Sequence, residues 1–343
     1  MKPANRPALD LESALPMTRP LLQIGFHDHC FDGVASAATF LRFYRERVRP
    51  VAAGDVSLRG LAHQAGAPFA EDAFGGEENV VVDFRYSPDP RLTWWFDHHQ
   101  SAFEPAGSLE PLFRADAAAG GKKFWDPAAK SCTKFLARVC QEKFGFDPEP
   151  LRELIDWAEV IDGALFPDAR TAVLLEHPAM QLMLLIEATK DPALCGKLVH
   201  ELSARTLSSV LAEPWVTGPL GPLLERHRSI VAQVRERISV RGGVAEFDVA
   251  DLSLDNINKF IAYDFDAAAL YTVSVTLSAT RSKISLGSNP WRQPERRHNL
   301  ARMAERYGGG GHPAVSAISF KPEELERARA VAKGLAEELR GEQ

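Results

Sequence analysis

The sequence has 343 residues, of which 45% are hydrophobic and 25% are charged, as in ordinary globular proteins. This length exceeds the size at which one core usually keeps growing, and no apolar run reaches the roughly 18 residues that span a bilayer, so we expect two domains and no membrane partner. The net charge of −6 disfavours binding to a long duplex and favours a small anionic substrate held in a local positive site.

The N-terminal part of the chain predicts a parallel sheet. Residues 1–20 contain four prolines and no continuous apolar core, so we expect a tail rather than a secretory signal, and a cytoplasmic protein. Short apolar strands are predicted over 21–26, 79–84 and 93–96, and a helix over 34–49. In each strand polar residues begin where the strand stops, which is where ligands bind in open α/β sheets.

The rest of the chain predicts helices and then a smaller α+β domain. Ser131 is a candidate N-cap for a helix over 131–143, and a second helix is predicted over 149–161. A helical stretch over 171–240 follows, with a break expected between Glu213 and Pro222. Further strands are predicted over 244–249, 270–277, 283–286 and 315–320, with helices over 296–307 and from Pro322. The expected organisation is a tail (1–20), an α/β domain (21–190), a helical linker (191–240) and an α+β domain (241–343).

Acids and histidines cluster at the ends of these predicted elements. The cluster consists of His27, Cys30, Asp32, Asp83, Asp97, His98, His99 and Asp162. Carboxylates and imidazoles with at most one thiol suit Mn²⁺ better than a structural zinc site, and they are numerous enough for two ions if Asp83 bridges them. Taken alone, an Asp that follows a strand, such as Asp83, is more often a helix cap or a turn residue than a metal ligand. Two adjacent histidines at a strand end, however, rarely have a packing reason.

Five motifs in order resemble the DHH phosphoesterase family with its DHH-associated C-terminal domain. They are His27-x-x-Cys30-x-Asp32-Gly33, Asp83, Asp97-His98-His99, Asp162 and Gly308-Gly309-Gly310-Gly311-His312. The resemblance covers about residues 21–320. It implies a two-metal phosphohydrolase acting on a small nucleotide or a short oligonucleotide. Polyphosphate or pyrophosphate is the alternative substrate class, and a catalytically silent nucleotide or phosphate sensor is the alternative function.

The resemblance also implies roles for single residues. It assigns His27, Cys30 and Asp83 to one ion. It assigns Asp32, Asp83, His98 and Asp162 to the other. Asp97 would orient His98, either by accepting its spare N–H or by fixing the loop. His99 would contact the phosphoryl group or protonate the leaving oxygen, so that Asp97, His98 and His99 are the expected catalytic residues.

Cys30 departs from the commonest form of the first motif. Many members of the family have an Asp at this position, and this sequence follows a branch of the form His-x-x-Cys-x-Asp-Gly. Whether the thiolate binds metal is open, with Asp28 and His29 as reserve ligands. Two Mn²⁺ ions are expected, and Mg²⁺, Zn²⁺ and Fe²⁺ are alternatives, since a thiolate shifts preference toward zinc or iron.

The C-terminal domain is expected to bind substrate. Residues Gly308–Gly311 can form an anion-binding nest of backbone N–H groups, and His312 follows directly. The segment Ser285-Leu286-Gly287-Ser288-Asn289 resembles a second family segment, which commonly carries an Arg where this chain has Gly287, so the resemblance implies that Ser288 and Asn289 bind substrate. Candidates for the replacement charge are Arg281, Lys283, Arg292 and Arg297.

Three further expectations remain open. Trp291 either stacks on a base or belongs to the core. The two domains would close over the substrate, and a homodimer is considered. A nuclease acting on long strands is disfavoured by the acidic net charge.

Overall fold

The computed structural model of the chain describes residues 19–62, 69–103, 109–189, 191–254 and 257–341. Nearly all of the expected N-terminal tail lies outside these residues. None of the helices within the described ranges has the length and apolar character needed to cross a membrane.

The N-terminal part of the chain alternates strands and helices. Its elements are β1 (Leu22–His27), α1 (Phe31–Phe43), β2 (Val56–Leu61), β3 (Glu78–Val82), β4 (Leu92–Asp97), α2 (Leu109–Ala118), β5 (Lys122–Trp125), α3 (Cys132–Phe144), α4 (Arg152–Asp162), α5 (Ala169–Leu174), α6 (Pro178–Ala188) and α7 (Pro192–Leu202). Helix α1 continues into a single π-helical segment, Tyr44–Val48.

The remaining elements include most of the antiparallel strands. They are α8 (Leu207–Leu211), α9 (Pro214–Arg235), β6 (Ser239–Arg241), β7 (Val244–Asp248), α10 (Ile261–Phe265), β8 (Tyr271–Leu277), β9 (Ser282–Ser288), α11 (Leu300–Glu305), β10 (Gly310–His312), β11 (Val315–Phe320) and α12 (Leu325–Arg340).

These elements form two compact units. The first comprises the described residues up to Asp162 together with Thr189–Thr206, and the second comprises Gly163–Ala188 and the described residues from Leu207 onward. The segment 191–240, predicted as a linker, is helical and is divided between the two units. The break expected between Glu213 and Pro222 occurs at the start of this range, where α8 ends at Leu211 and Glu213 is the extended N-cap of α9. From Pro214 onward, α9 runs continuously through Pro219 and Pro222. Its buried side chains hold the helix despite the lost N–H groups, and they are Val216, Leu220, Val231 and Val234.

The first unit is built on a parallel sheet in the order β2-β1-β3-β4-β5, which confirms the α/β fold class. The three central strands are the apolar runs that the sequence predicts. The edge strands β2 and β5 were not predicted, because β2 is half-exposed along its length and β5 has only four residues. Helix α1 covers β1 and packs against α3, α4 and α7.

The second unit contains a mixed sheet in the order β10-β11-β9-β8-β7-β6. Only the β7–β8 pair is parallel, and the other neighbours are antiparallel. Alternate residues of β8, β9 and β11, such as Val273, Ile284 and Ile318, form a core with α11 and α12. Strand β10 was expected to be a glycine loop. Two of the four glycines instead pair with β11 at the sheet edge.

Candidate metal centre

The carboxyl ends of the parallel strands gather the predicted donor residues at one edge of the first sheet. His27 is the last residue of β1, Asp83 directly follows β3, and Asp97 ends β4. Asp32 lies in the first turn of α1 and Asp162 is the last residue of α4. Because parallel strands end at the same edge, residues far apart in sequence converge here.

One donor group consists of His27, Cys30 and Asp83, whose ligand atoms all lie within 4.8 Å of one another. Nδ1 of His27 is 3.4 Å from Oδ2 of Asp83. Cys30 occupies the N-cap position of α1, but its side chain makes no capping hydrogen bond. The thiol is therefore directed to a position beside the imidazole and the carboxylate without serving as a helix cap.

A second donor group consists of Asp32, His98 and Asp162, again within 4.8 Å. Nε2 of His98 lies 3.3 Å from Asp162, 3.5 Å from Asp83 and 3.8 Å from Asp32, each measured to a carboxylate oxygen. Asp83 thus touches both groups. The structure brings together all the residues that the resemblance assigns to two ions.

The backbone around these donors is strained and closely packed. Asp83 and His29 adopt left-handed conformations, with φ of 55° and 56°, which are uncommon for residues other than glycine. A Cβ at Gly33 would lie 2.1 Å from the carbonyl oxygen of His27, so the first turn of α1 can approach the end of β1 only with glycine there. Such strain concentrates at functional sites.

The N-terminus of α3 holds the carboxylate of Asp32. The backbone N–H groups of Cys132 and Thr133 donate to its two oxygens, at 2.6 and 3.1 Å, and the Thr133 hydroxyl donates to its carbonyl at 3.1 Å. The positive end of the helix dipole faces this carboxylate. The sequence predicts where α3 begins, but it contains no local signal for a contact across 100 residues.

Asp97 fixes the loop after β4 and orients His99 rather than His98. Its Oδ1 accepts the backbone N–H groups of His98 and His99, at 2.8 and 3.2 Å, and lies 2.8 Å from Nδ1 of His99. Nδ1 of His98 instead lies 3.2 Å from the carbonyl oxygen of Ala129. Of the two roles considered for Asp97, the structure therefore shows the loop-fixing one. The indole of Trp125 anchors the same loop by donating to the carbonyl of His99 at 2.9 Å.

The electrostatics of the cluster are dominated by buried carboxylates. Burial and the neighbouring Asp83 raise the pKa of Asp32 well above its ordinary value. Burial also opposes ionisation of Asp83, but the neighbouring imidazoles of His27 and His98, at 3.4 and 3.5 Å, outweigh it and lower the Asp83 pKa. Desolvation lowers the pKa of His98, whereas Asp83 and Asp32 raise it, to about 10. The pKa of His99 is raised chiefly by its hydrogen bond to Asp97.

The donor set fits divalent cations. One N–H at Nε2 of His98 cannot serve three carboxylates at once, whereas a cation can attract all of them. Asp83 is 1% exposed, and its Oδ1 has no hydrogen-bond partner among the described residues. The thiol of Cys30 is surrounded by acids, and burial and Asp83 raise its pKa well above the usual value. A metal ion reverses this effect, since it deprotonates a coordinating thiol.

Four of the seven predicted substrate residues of the C-terminal region line a cavity of about 960 Å³ within the second unit. Gly310, Gly311, His312 and Ser288 line it. The N–H groups of Gly308 and Gly309 instead donate to carbonyls at the end of α11, so they do not contribute to an anion-binding nest.

The side chain of Asn289 makes hydrogen bonds that stabilise the fold of the second unit. Its side-chain oxygen accepts the N–H of Trp291 at 3.0 Å, and its amide donates to the carbonyl of Ala269 at 2.8 Å. The residue is 3% exposed and is not part of the cavity lining.

The cavity combines hydroxyl groups, aromatic rings and one lysine of the sheet. Its hydroxyls include Thr272, Ser274 and Thr276 of β8, its rings include Phe166, Phe260, Tyr263 and Trp291, and Lys283 lies on β9. The three β8 residues alternate along the strand and are 4–7% exposed. This alternation of polar and apolar residues is present in the sequence and predicts a polar face on the strand.

Gly287 leaves no room for a side chain. A Cβ there would lie 2.7 Å from the Thr272 hydroxyl and 3.2 Å from that of Tyr263. Of the four replacement cations considered, Lys283 lines the cavity, whereas Arg292 forms an ion pair with Glu295.

Comparison with known proteins gives matches among solved structures only. No family model and no curated protein matches the sequence. The pGpG-specific phosphodiesterase PggH from Vibrio cholerae aligns with a TM-score of 0.65 and 17% identity, covering 94% of this chain and 99% of that one. An exopolyphosphatase-related protein from Bacteroides fragilis aligns with a TM-score of 0.47 and 12% identity, covering 94% of each chain. RecJ from Thermus thermophilus, in complex with Mn²⁺, aligns at 0.46 and 13%, covering 92% of this chain and 52% of that one.

Proposed function

We propose that this chain, which has the fold of the DHH phosphoesterase family, is a metal-dependent phosphohydrolase that acts on a small nucleotide or a short oligonucleotide. The observation that carries the proposal is the position of Asp83. Its buried carboxylate lies between two donor groups that include His27 on one side and His98 on the other. The N–H groups of α3 account for burial of the Asp32 carboxylate alone, whereas three carboxylates around the His98 imidazole are costly to bury without cations.

In this proposal the two donor groups hold one divalent ion each. His27, Cys30 and Asp83 hold the first, and the second is held by Asp32, Asp83, His98 and Asp162. Bound there, two divalent cations would neutralise phosphate charge and make water a stronger nucleophile at neutral pH. The carbonyl oxygen of Ala129 contacts Nδ1 of His98 and so orients the ring with Nε2 toward the carboxylates. Metal-binding histidines usually have such a hydrogen bond at the second ring nitrogen.

The loop after β4 supplies the groups that act on the phosphate. Asp97 holds Nδ1 of His99, so we assign to Nε2 the contact with the phosphoryl group or with the leaving oxygen. His99 is 35% exposed, whereas Asp97 is fully buried. A rigid acid behind a partly exposed imidazole is the arrangement expected of a general acid and the residue that positions it.

The cavity of the second unit supports a nucleotide as the substrate class. Aromatic rings such as those of Phe260 and Trp291 offer a base a stacking surface, and hydroxyls such as that of Thr272 offer hydrogen bonds to its edge. Polyphosphate has no apolar part that would use such a surface. PggH is named as pGpG-specific, so linear dinucleotides are the first compounds to test.

The experiment measures hydrolysis by the full chain, freed of metal and resupplied with Mn²⁺. The panel contains pGpG and other dinucleotides, adenosine bisphosphate, cyclic dinucleotides and polyphosphate. Asp162→Asn removes a proposed ligand, and Asp156→Asn makes the same change six residues earlier on α4, at an exposed acid paired with Lys134.

We expect Mn²⁺-dependent turnover of a dinucleotide, at least about 100-fold weaker in Asp162→Asn and unchanged in Asp156→Asn. Preferred turnover of polyphosphate would contradict the nucleotide assignment. Tight nucleotide binding without any product would contradict the enzyme and favour a sensor.

A further inference from the structure

The two donor groups at the edge of the first sheet differ in their chemistry. The first group combines an imidazole, a thiol and the shared carboxylate of Asp83. The second group offers only carboxylate oxygens and the imidazole of His98. Each group contains one nearly fully buried carboxylate, Asp83 in the first and Asp32 in the second, so the two groups differ in ligand type rather than in burial.

Cys30 is set apart from the other three cysteines of the chain. Cys132, Cys140 and Cys195 are fully buried, whereas Cys30 is partly exposed and lies in the donor cluster. The neighbouring carboxylate of Asp83 is 1% exposed and has an oxygen without a hydrogen bond among the described residues. The thiol lies within 4.8 Å of this buried carboxylate and of the His27 imidazole, so one cation can contact all three groups.

Ligand softness determines which cation suits each position. Thiolates select zinc and iron over manganese and magnesium, whereas carboxylate-rich sites accept manganese and magnesium readily. We propose that the position formed by His27, Cys30 and Asp83 takes a thiophilic ion, Zn²⁺ or Fe²⁺. The position formed by Asp32, His98 and Asp162 takes Mn²⁺ or Mg²⁺, so the centre holds two different metals bridged by Asp83. This inference rests on the metal centre of the proposed function.

The first test follows where a soft probe ion binds. The metal-free full chain is titrated with Co²⁺, whose bond to a thiolate gives an intense near-ultraviolet charge-transfer band. We expect the band to grow with the first equivalent of Co²⁺ and to stop growing with the second. Cobalt that binds without this band, or a band that grows only with the second equivalent, would overturn the proposal.

A matched pair of variants identifies the sulfur. Cys30→Ala should abolish the band and lower the affinity for the first Zn²⁺ by at least about 100-fold. Cys140→Ala removes a core thiol of α3 and should leave both unchanged. A band that persists in Cys30→Ala would assign the cobalt to another thiol and refute the proposal.

Metal analysis of the wild type gives a readout that needs no variant. After equilibration with one equivalent of Zn²⁺ and an excess of Mn²⁺, we expect one zinc and one manganese per chain. Two manganese ions per chain would refute this inference. If such a protein still shows Mn²⁺-dependent hydrolysis, the proposed function is retained. Binding of no divalent ion at all would refute both.

Discussion

The two compact units concentrate polar groups in different ways. In the first unit, buried carboxylates such as Asp32 and Asp83 meet at a sheet edge, and Asp83 has a left-handed backbone. All the groups of three or more potential metal ligands found among the described residues belong to this unit. The cavity of the second unit is lined by hydroxyls and aromatic rings, as at Thr272 and Trp291. The carboxylates of the first unit repel one another when no cation is bound, whereas the hydroxyls and rings of the second unit need no counter-charge. This difference favours chemistry in the first unit and recognition in the second.

Removal of metal should produce the largest difference in behaviour between the two units. A chelator should abolish hydrolysis and destabilise the first unit, because each ion present at about 100 times its dissociation constant stabilises the folded state by about 2.7 kcal/mol, and two ions by about 5 kcal/mol. For a unit of this size, loss of both ions corresponds to a fall of roughly 10–20 °C in unfolding temperature. The core strands of the second unit should be unaffected.

Hydrogen exchange followed by mass spectrometry, with and without chelator, assigns the effect to segments. Faster exchange in β1 and β4 with unchanged exchange in β8 and β9 is the expected result. Equal acceleration in both units would show that the comparison between them is wrong.

Replacement of Asp97 tests whether the loop after β4 works through orientation. Asp97→Asn keeps an oxygen for the two backbone N–H groups but weakens the hold on His99, so kcat should fall by roughly 10- to 100-fold. The metal content should stay at two ions, because Asp97 belongs to neither donor group. Loss of the ions together with activity would instead identify Asp97 as a metal-binding residue.

A smaller effect is expected in the cavity of the second unit. Trp291→Ala should raise KM for a dinucleotide by roughly 5- to 100-fold and change kcat little, because stacking contributes about 1–3 kcal/mol per base. Trp215→Ala removes a half-buried indole on α9 that does not line the cavity, and KM should then be unchanged. A fall in kcat with unaltered KM in Trp291→Ala would contradict a binding role.

The sequence predicted the parts of the fold that have a local signal. The central strands of the first sheet are apolar runs followed by acids and histidines, and parallel strands end at one edge. From this the convergence of His27, Asp83 and His98 could be foreseen. Asp162 follows the predicted helix over 149–161, and the resemblance to DHH phosphoesterases assigned it to the same centre, although it lies 64 residues beyond His98.

The other features depend on contacts between distant residues. Backbone N–H groups of α3 bind the Asp32 carboxylate, and the backbone carbonyl of Ala129 contacts Nδ1 of His98. Because every residue type has these backbone atoms, the sequence carries no signal for either contact. The pairing of Asp97 with His99 is local, but it depends on the path of the backbone after β4 rather than on residue type. The edge strand β10 consists of residues that read as a loop, because glycine carries no strand preference.

Metal stoichiometry in Asp83→Asn tests the central claim most directly. Asparagine tolerates the left-handed backbone of this position and has nearly the same volume, so the fold should be retained while the bridging charge is lost. The account predicts two divalent ions per chain in the wild type and loss of both in Asp83→Asn, with hydrolysis at background level. Two ions retained in the variant, with activity near that of the wild type, would contradict a centre built around Asp83.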